Sequence, residues 1–439
     1  MKKTTKLTAT LAAALALSGV YSSWAVAETT LTIATVNNGD MITMQKMTDD
    51  FTKANPDIKL NWVTLEENDL RQKVTKDIAT KGGQYDIMTI GMFETPIWGA
   101  KGWLTELKKL DDPKDFLPAN VSGLSANGKL YAAPFYGESS FTMYRKDLMD
   151  KAGLKMPDAP TWAFVRDAAM KMTDRAAGIN GICLRGKAGW GENMAFLSVL
   201  SNAFGGSWFD EKWHPQFDSP EWTTALKFYL DMMKESGPQG ASSNGFSENL
   251  ALFQSGKCGI WIDATSAGGH VADPKEAPIV ADKVGFAMAP DTGLGKRSNW
   301  LWAWALAIPA GSAKVDAAEK FIGWATSKHY TEMVAAQKGW VAVPPGTRTS
   351  LYANPEYAKV SFAKMTLDSI NAADPMHPSV KPTPYVGVVF PAIPEYPDWG
   401  TKAGEIFSAA LAGQTSADDA LKQAQDYTVQ VMTKAGYIK

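Results

Sequence analysis

Along the first hundred residues the spacing of apolar positions changes period repeatedly. Leu31–Val36 (LTIATV), Ile58–Val63 and Tyr85–Ile90 (YDIMTI) are short apolar runs of strand length. Between them Met41, Met44, Met47 and Phe51, and then Leu70, Val74 and Ile78, recur every three or four residues. That is the stripe of a helix packed on one face. Asp40 stands where an N-cap for the first of these helices is expected. Strands alternating with helices of this length predict βαβ units and a parallel sheet.

The alternation breaks at Tyr131–Glu138 (YAAPFYGE), where Pro and Gly punctuate an apolar stretch. A second α/β section follows: a helix over Trp162–Met172, a strand over Ile179–Leu184, a helix over Glu221–Met233, and strands over Cys258–Ile262, Val284–Pro290 and Asn299–Pro309. The chain ends in an amphipathic helix carrying Leu421, Ala424, Tyr427, Val431 and Met432. Two α/β sections without a flexible linker predict two lobes joined by short crossings. Ligands of such folds bind beyond the carboxyl ends of the strands and between domains.

The N-terminus modifies this picture. Lys2, Lys3 and Lys6 precede an apolar Leu11–Val20 and a small-residue Ala25-Val26-Ala27, the three-part layout of a secretory signal peptide. A cut after Ala27 leaves 412 of the 439 residues. Removing those three lysines from 44 Lys and Arg leaves 41 against 46 Asp and Glu, a net −5. An acidic, exported chain argues against a nucleic-acid partner. In an oxidising compartment the two cysteines, Cys183 and Cys258, either pair or remain buried free thiols.

Candidate chemistry collects just after the strands. Asn38 and Asp40 follow the first, Glu94 the third, and Glu138 and Ser139 the punctuated crossing. Arg185 and Trp190 follow Ile179–Leu184, and Asp263 follows Cys258–Ile262. Carboxylates, an amide, a guanidinium and flat rings suit a polyhydroxylated ligand, whose hydroxyls need donors and acceptors and whose CH faces need aromatic surface. Three or four charge-assisted hydrogen bonds at about 1.5–3 kcal/mol each, with one aromatic contact, suffice for micromolar binding after association costs.

Trp300, Trp302 and Trp304 in WLWAWALAIP alternate, which puts three rings on one strand face and Leu301, Ala303 and Ala305 on the other. Core filling and a ligand cleft both fit that pattern. In a short segment of an exported chain a membrane belt does not. The small opposite face favours close packing there, leaving the Trp side as the candidate cleft. Four histidines without an HExxH, GxSxG or CxxC pattern give no enzymatic signature, and no metal or cofactor is expected. Paired carboxylates leave a secreted carbohydrate-active enzyme as an alternative.

The chain resembles the periplasmic solute-binding proteins of carbohydrate ABC transporters (extracellular family 1, maltose-binding-protein-like), in particular the branch that binds sugar alcohols such as mannitol, sorbitol and arabitol. The resemblance rests on TIATVNNGDMITMQKMT (32–48), NDLRQKVTKDIATKGGQYDIMTIGMFETPIWGAKGWL (68–104), APFYGESSFTMYRKDLMDKAGL (133–154), CLRGKAGWGEN (183–193) and KPTPYVGVVFPAIPEYPDWG (381–400).

This resemblance implies an α/β, two-lobed periplasmic binding protein of type II, each lobe a mostly parallel sheet flanked by helices. After a signal peptide over 1–27, one lobe takes 28–137 and 291–345, and the other 138–290 and 346–439. Crossings are expected near Tyr136–Ser140, Met288–Asp291 and Gly346. It further implies a monomer in the periplasm that hands a small polyol or sugar to an inner-membrane ABC permease. Asn38, Asp40, Glu94, Glu138, Arg185, Asp263 and the Trp strand coincide with the family's ligand-facing loops. A cyclic mono- or oligosaccharide is the rival ligand.

Overall fold

Residues 28–439 are described by the structure, a computed structural model; the signal peptide and its cut after Ala27 lie outside the described residues. The strands, in chain order, are β1 (Thr29–Val36), β2 (Ile58–Leu65), β3 (Ile87–Ile90), the short hairpin β4 (Ser125–Ala126) and β5 (Lys129–Leu130), β6 (Ala132–Glu138), β7 (Ser140–Arg145), β8 (Asn180–Cys183), β9 (Cys258–Ala264), β10 (Val284–Met288) and β11 (Trp302–Ala307). They form a five-stranded sheet of order β2-β1-β3-β11-β6 and a four-stranded sheet of order β10-β7-β9-β8, one in each lobe.

The apolar runs account for both sheets. β1 and β3 are almost wholly buried, as strands covered by helices on both faces must be. The helices Gly39–Lys46 and Asp49–Ala54 return the chain from β1 to β2, and the helix Glu67–Thr80 carries it on to β3. Crossovers of that kind enforce parallel pairing, seen at β1–β2 and β1–β3, and again at β8–β9. Where the chain changes lobe the pairing is antiparallel, at β11–β3, β11–β6, β7–β9 and β10–β7. Each sheet is therefore mixed, and the expectation of mostly parallel sheets holds only for the helix-linked strands.

Three crossings lie side by side. β6 runs into β7 through one residue, Ser139, whose backbone N–H donates to Thr265 Oγ1 at 3.2 Å. The return from β10 passes Asp291, which still pairs with Thr161 of the second lobe, so the chain regains the first sheet only over 298–302. The crossing expected at Met288–Asp291 is displaced by that bridge. Ser140 Oγ donates to Ser298 O at 2.8 Å and ties the first crossing to the second. At the third, Gly137 N–H donates to Pro345 O at 3.0 Å. Gly346 has φ +67°, and a Cβ there would stand 1.9 Å from Gly137 O, so the approach of these two segments requires glycine.

Helices complete each lobe. Phe321 of the helix Val315–Ala325 packs edge-on against Phe51, 5.2 Å between centroids, on the first lobe. The helices Tyr396–Leu411 and Ala417–Lys434 pack on each other, the former also against Asn193–Ala203 and the latter against Pro220–Ser236 of the second lobe. Cys183 and Cys258 are joined in a disulfide, Cα atoms 6.1 Å apart, linking β8 to β9. Among the described residues no helix is long and apolar enough to cross a membrane.

Candidate functional site

The first helix after β1 begins at Gly39 with Asn38, not Asp40, in the N-cap position. Asn38 is left at the strand end, and its Nδ2 donates to Tyr136 OH of β6 at 2.6 Å. Asp40 falls in the first helical turn, where its charge suits the helix dipole. Its carboxylate turns away from the main cavity toward His270 Nε2, 3.9 Å away on the other lobe. Burial raises Asp40 from 3.8 to about 6, against the pull of His270.

A cavity lies between the lobes, walled by side chains of both. Seven of the residues expected at the ligand line it: Asn38, Glu138, Arg185, Trp190, Trp300, Trp302 and Trp304. Register explains part of this, since β11–β6 pairing sets Trp302 opposite Glu138 and Trp304 opposite Tyr136. The simple alternation is modified at both ends. Trp300 precedes the strand, and the register shifts between Trp304 and Ala305. All three rings still reach the cavity.

The other expected residues stand elsewhere. Asp263 lies behind Arg185, which donates to it through Nε at 2.9 Å and Nη2 at 2.7 Å. Glu94 accepts from Arg71 Nη1 at 2.9 Å and from Gly91 N–H at 3.0 Å, so it holds a cavity residue without lining the cavity. Ser139 is fully buried in the crossing itself. Asp40 lines a separate small cavity with His270 and Glu276.

Several lining residues carried no signal that was read. Glu67 and Arg71, four apart at the start of the helix after β2, look like a solvent-facing ion pair in sequence. They are in fact buried, with Arg71 Nη2 donating to Glu67 at 2.9 Å. The Arg71 guanidinium lies 4.0 Å from the Trp190 ring centroid, 4.7 Å from that of Trp304 and 4.8 Å from that of Trp302. The strand-end rule, applied after β2 as well, finds both. Ser266, Phe246 and Val389 also line the cavity.

Both guanidiniums of the cavity are already paired, Arg185 also with Glu192 at 3.3 Å. Arg71 has Glu67 and Glu94, and Arg185 has Asp263, so neither guanidinium is free for an anionic ligand. Glu138 has no cation in contact and accepts from Ser266 Oγ at 2.6 Å through Oε2. Burial pushes Glu138 from 4.5 up to about 8, with the Ser266 hydrogen bond only partly opposing it. The buried Trp300 Nε1 has no partner, a donor whose desolvation is otherwise uncompensated. Spare neutral donors and acceptors among aromatic faces suit an uncharged hydroxylated molecule. Among the described residues no His, Cys, Asp and Glu cluster could hold a metal ion.

The lobes meet over this cavity. Lys187 Nζ of the second lobe donates to Glu66 Oε1 of the first at 2.6 Å, and Asn68 Nδ2 donates to Ala188 O at 3.1 Å. Phe93 packs on Trp190 at 5.1 Å between centroids.

Residues 37–332 match the family described as bacterial extracellular solute-binding protein. The chain is 54% identical over 413 residues to the mannitol-binding protein of Pseudomonas aeruginosa, covering 93% of this chain and 94% of that one. An ABC transporter solute-binding protein from Agrobacterium vitis S4, solved with bound D-mannitol, is 68% identical with a TM-score of 0.92, covering 93% of this chain and all of the other. A solute-binding protein from Agrobacterium radiobacter K84 in complex with ribitol shares the fold, with a TM-score of 0.81 at 24% identity, covering 92% of this chain and 99% of that one.

Proposed function

Because the chain belongs to the bacterial extracellular solute-binding proteins, we propose that it captures a sugar alcohol of the mannitol type for an ABC importer. The carrying observation is the interlobe cavity in which both arginines are already paired with carboxylates while Glu138 and Trp300 Nε1 retain hydrogen-bonding capacity. Asn38 and the Trp302 and Trp304 rings serve the ligand from the first lobe, and Arg185, Trp190 and Ser266 from the second. Glu138 serves it from the crossing. Glu94 and Asp263 hold the two arginines in place.

A ligand touching both lobes binds the closed form more tightly than the open one and shifts the population toward it. Closure forms the Lys187–Glu66 and Asn68–Ala188 contacts, and the joined surface is what an inner-membrane permease reads. The protein works as a monomer in the periplasm, and it releases its ligand unchanged.

Calorimetric titration of ligand-stripped protein with D-mannitol, sorbitol, arabitol, glucose and maltose tests this reading. Micromolar or tighter binding of a hexitol, with glucose and maltose much weaker, is expected. Tighter binding of a cyclic sugar, or release of product from a glycoside, defeats it.

A further inference from the structure

Residues 372–395 connect the helices Ala363–Asn371 and Tyr396–Leu411 without a helix or strand of their own. Within this stretch, residues 386–394 form a strap fixed to the second lobe through its backbone carbonyls. Val388 O accepts from Asn202 Nδ2 at 3.0 Å, and Val389 O faces Ser198 Oγ at 3.1 Å and Tyr396 OH at 3.4 Å, hydroxyls it shares with Met194 O and Trp190 O. Ala392 N–H donates to Val386 O at 2.9 Å and closes the turn. Gly387 has φ +121°, and a Cβ there would stand 2.0 Å from Phe390 O, so this turn depends on glycine.

The strap presents two side chains in different directions. Val389 is buried and lines the interlobe cavity. Phe390 does not line it; its ring packs edge-on against Phe93 at 5.3 Å and Trp302 at 5.8 Å on the first lobe. The rest of the cavity wall is rings, hydrogen-bonding side chains, Ala195, Ala264 and Gly191. Among the described residues Val389 is thus the only branched aliphatic one in the lining, and a change there alters volume without removing a ring or a hydrogen bond. The carbonyl anchors hold it in place, so the wall cannot retreat freely from a larger ligand.

We propose that Val389, carried on the strap 386–394, is a specificity-determining residue that sets the length of the alditol chain the cavity accepts. The assignment rests on the reading of the protein as a polyol binder. Alditols of five, six and seven carbons differ by one CHOH unit while presenting the same chemistry. Hydrogen bonding alone therefore discriminates among them weakly, and a fixed wall discriminates sterically. One methylene-sized mismatch in a rigid pocket is worth roughly tenfold or more.

Dissociation constants of the wild type, Val389→Ala, Val389→Leu and Phe390→Ala for arabitol, mannitol and a heptitol test the assignment. Val389→Ala is expected to raise heptitol affinity relative to mannitol by about tenfold. Val389→Leu is expected to raise arabitol affinity relative to mannitol by a similar factor. Phe390→Ala, which removes a ring packed behind Trp302 and on Phe93 without changing a side chain that lines the cavity, weakens all three ligands. If both Val389 variants shift all three affinities in parallel and leave the ranking unchanged, Val389 is not the gauge. A wild type that binds mannitol with that unchanged ranking in the variants defeats this inference alone, whereas a wild type that binds no alditol defeats the functional reading with it.

Discussion

Glu138 offers the sharpest test of how the cavity handles a neutral ligand. Its carboxyl is buried, lacks a cation in contact and is pushed up to about 8 by desolvation. At pH 7 it therefore carries its proton in the folded protein. With Oε2 accepting from Ser266, the protonated group can donate to a ligand hydroxyl. Gln keeps one donor and one acceptor on the same frame, so Glu138→Gln should change mannitol affinity by less than about threefold at pH 7. Glu138→Ala removes that hydrogen bond and strands the Ser266 hydroxyl, costing about 1.4–2.8 kcal/mol, or ten- to a hundredfold in affinity. Wild-type affinity should be flat from pH 5 to 7 and fall above pH 8, by up to tenfold per unit, as the donor is lost. The Gln variant should stay flat throughout.

The same shift has a stability signature. Because the folded value lies above the ordinary 4.5, Glu138 favours the folded state fully below about pH 4.5, and that contribution is lost as pH rises through about 8. Titrations from pH 5 to 9, with denaturant unfolding in parallel, measure both. A loss of more than tenfold for Glu138→Gln at pH 7, with wild-type affinity rising toward pH 8, would falsify the protonated-donor reasoning and make the ligand-binding form the carboxylate.

Other variants separate ligand contacts from contacts between lobes. Trp300→Phe keeps a ring and removes the unpartnered Nε1–H, so mannitol affinity should fall about two- to tenfold while ligand-free stability holds or rises; unchanged affinity would leave Trp300 as a packing residue only. Lys187→Ala breaks a pair exposed at 28% and 35%, so affinity should drop only about two- to fivefold, through faster dissociation, and the deficit should shrink at high salt. A salt-independent loss measured by stopped flow would contradict that role.

Legibility in the sequence followed locality. The helix Trp162–Met172 has the expected bounds because both determinants are local: its apolar stripe, and Thr161, whose side chain accepts from Phe164 N–H. Asn38, Glu138, Arg185, Trp190 and the three tryptophans line the cavity because strand ends in α/β folds point at the cleft. Asp40 was misread as a cap because a carboxylate just before a stripe looks the same whether it caps or reaches across to His270. Glu67 and Arg71 follow β2 and fit the strand-end rule, but their burial has no local signal. Burial of an i,i+4 ion pair depends on the tryptophans of β11, more than two hundred residues away. Val389 sits in a segment with no periodicity at all, and only its tertiary anchors bring it to the cavity.

The one-residue passage at Ser139 gives Glu138 an unusual mechanical position. If one lobe rocks on the other about this passage and the two crossings beside it, atoms next to Ser139 travel less than those of the Lys187–Glu66 contact. A contact made near the axle is nearly the same in both states and so cannot drive closure, since equal affinity for two states shifts nothing. Glu138 would then take hold of an arriving ligand while the protein is still open. Whatever drives closure must then lie farther from the passage, toward the rim where Lys187 meets Glu66 and Asn68 meets Ala188.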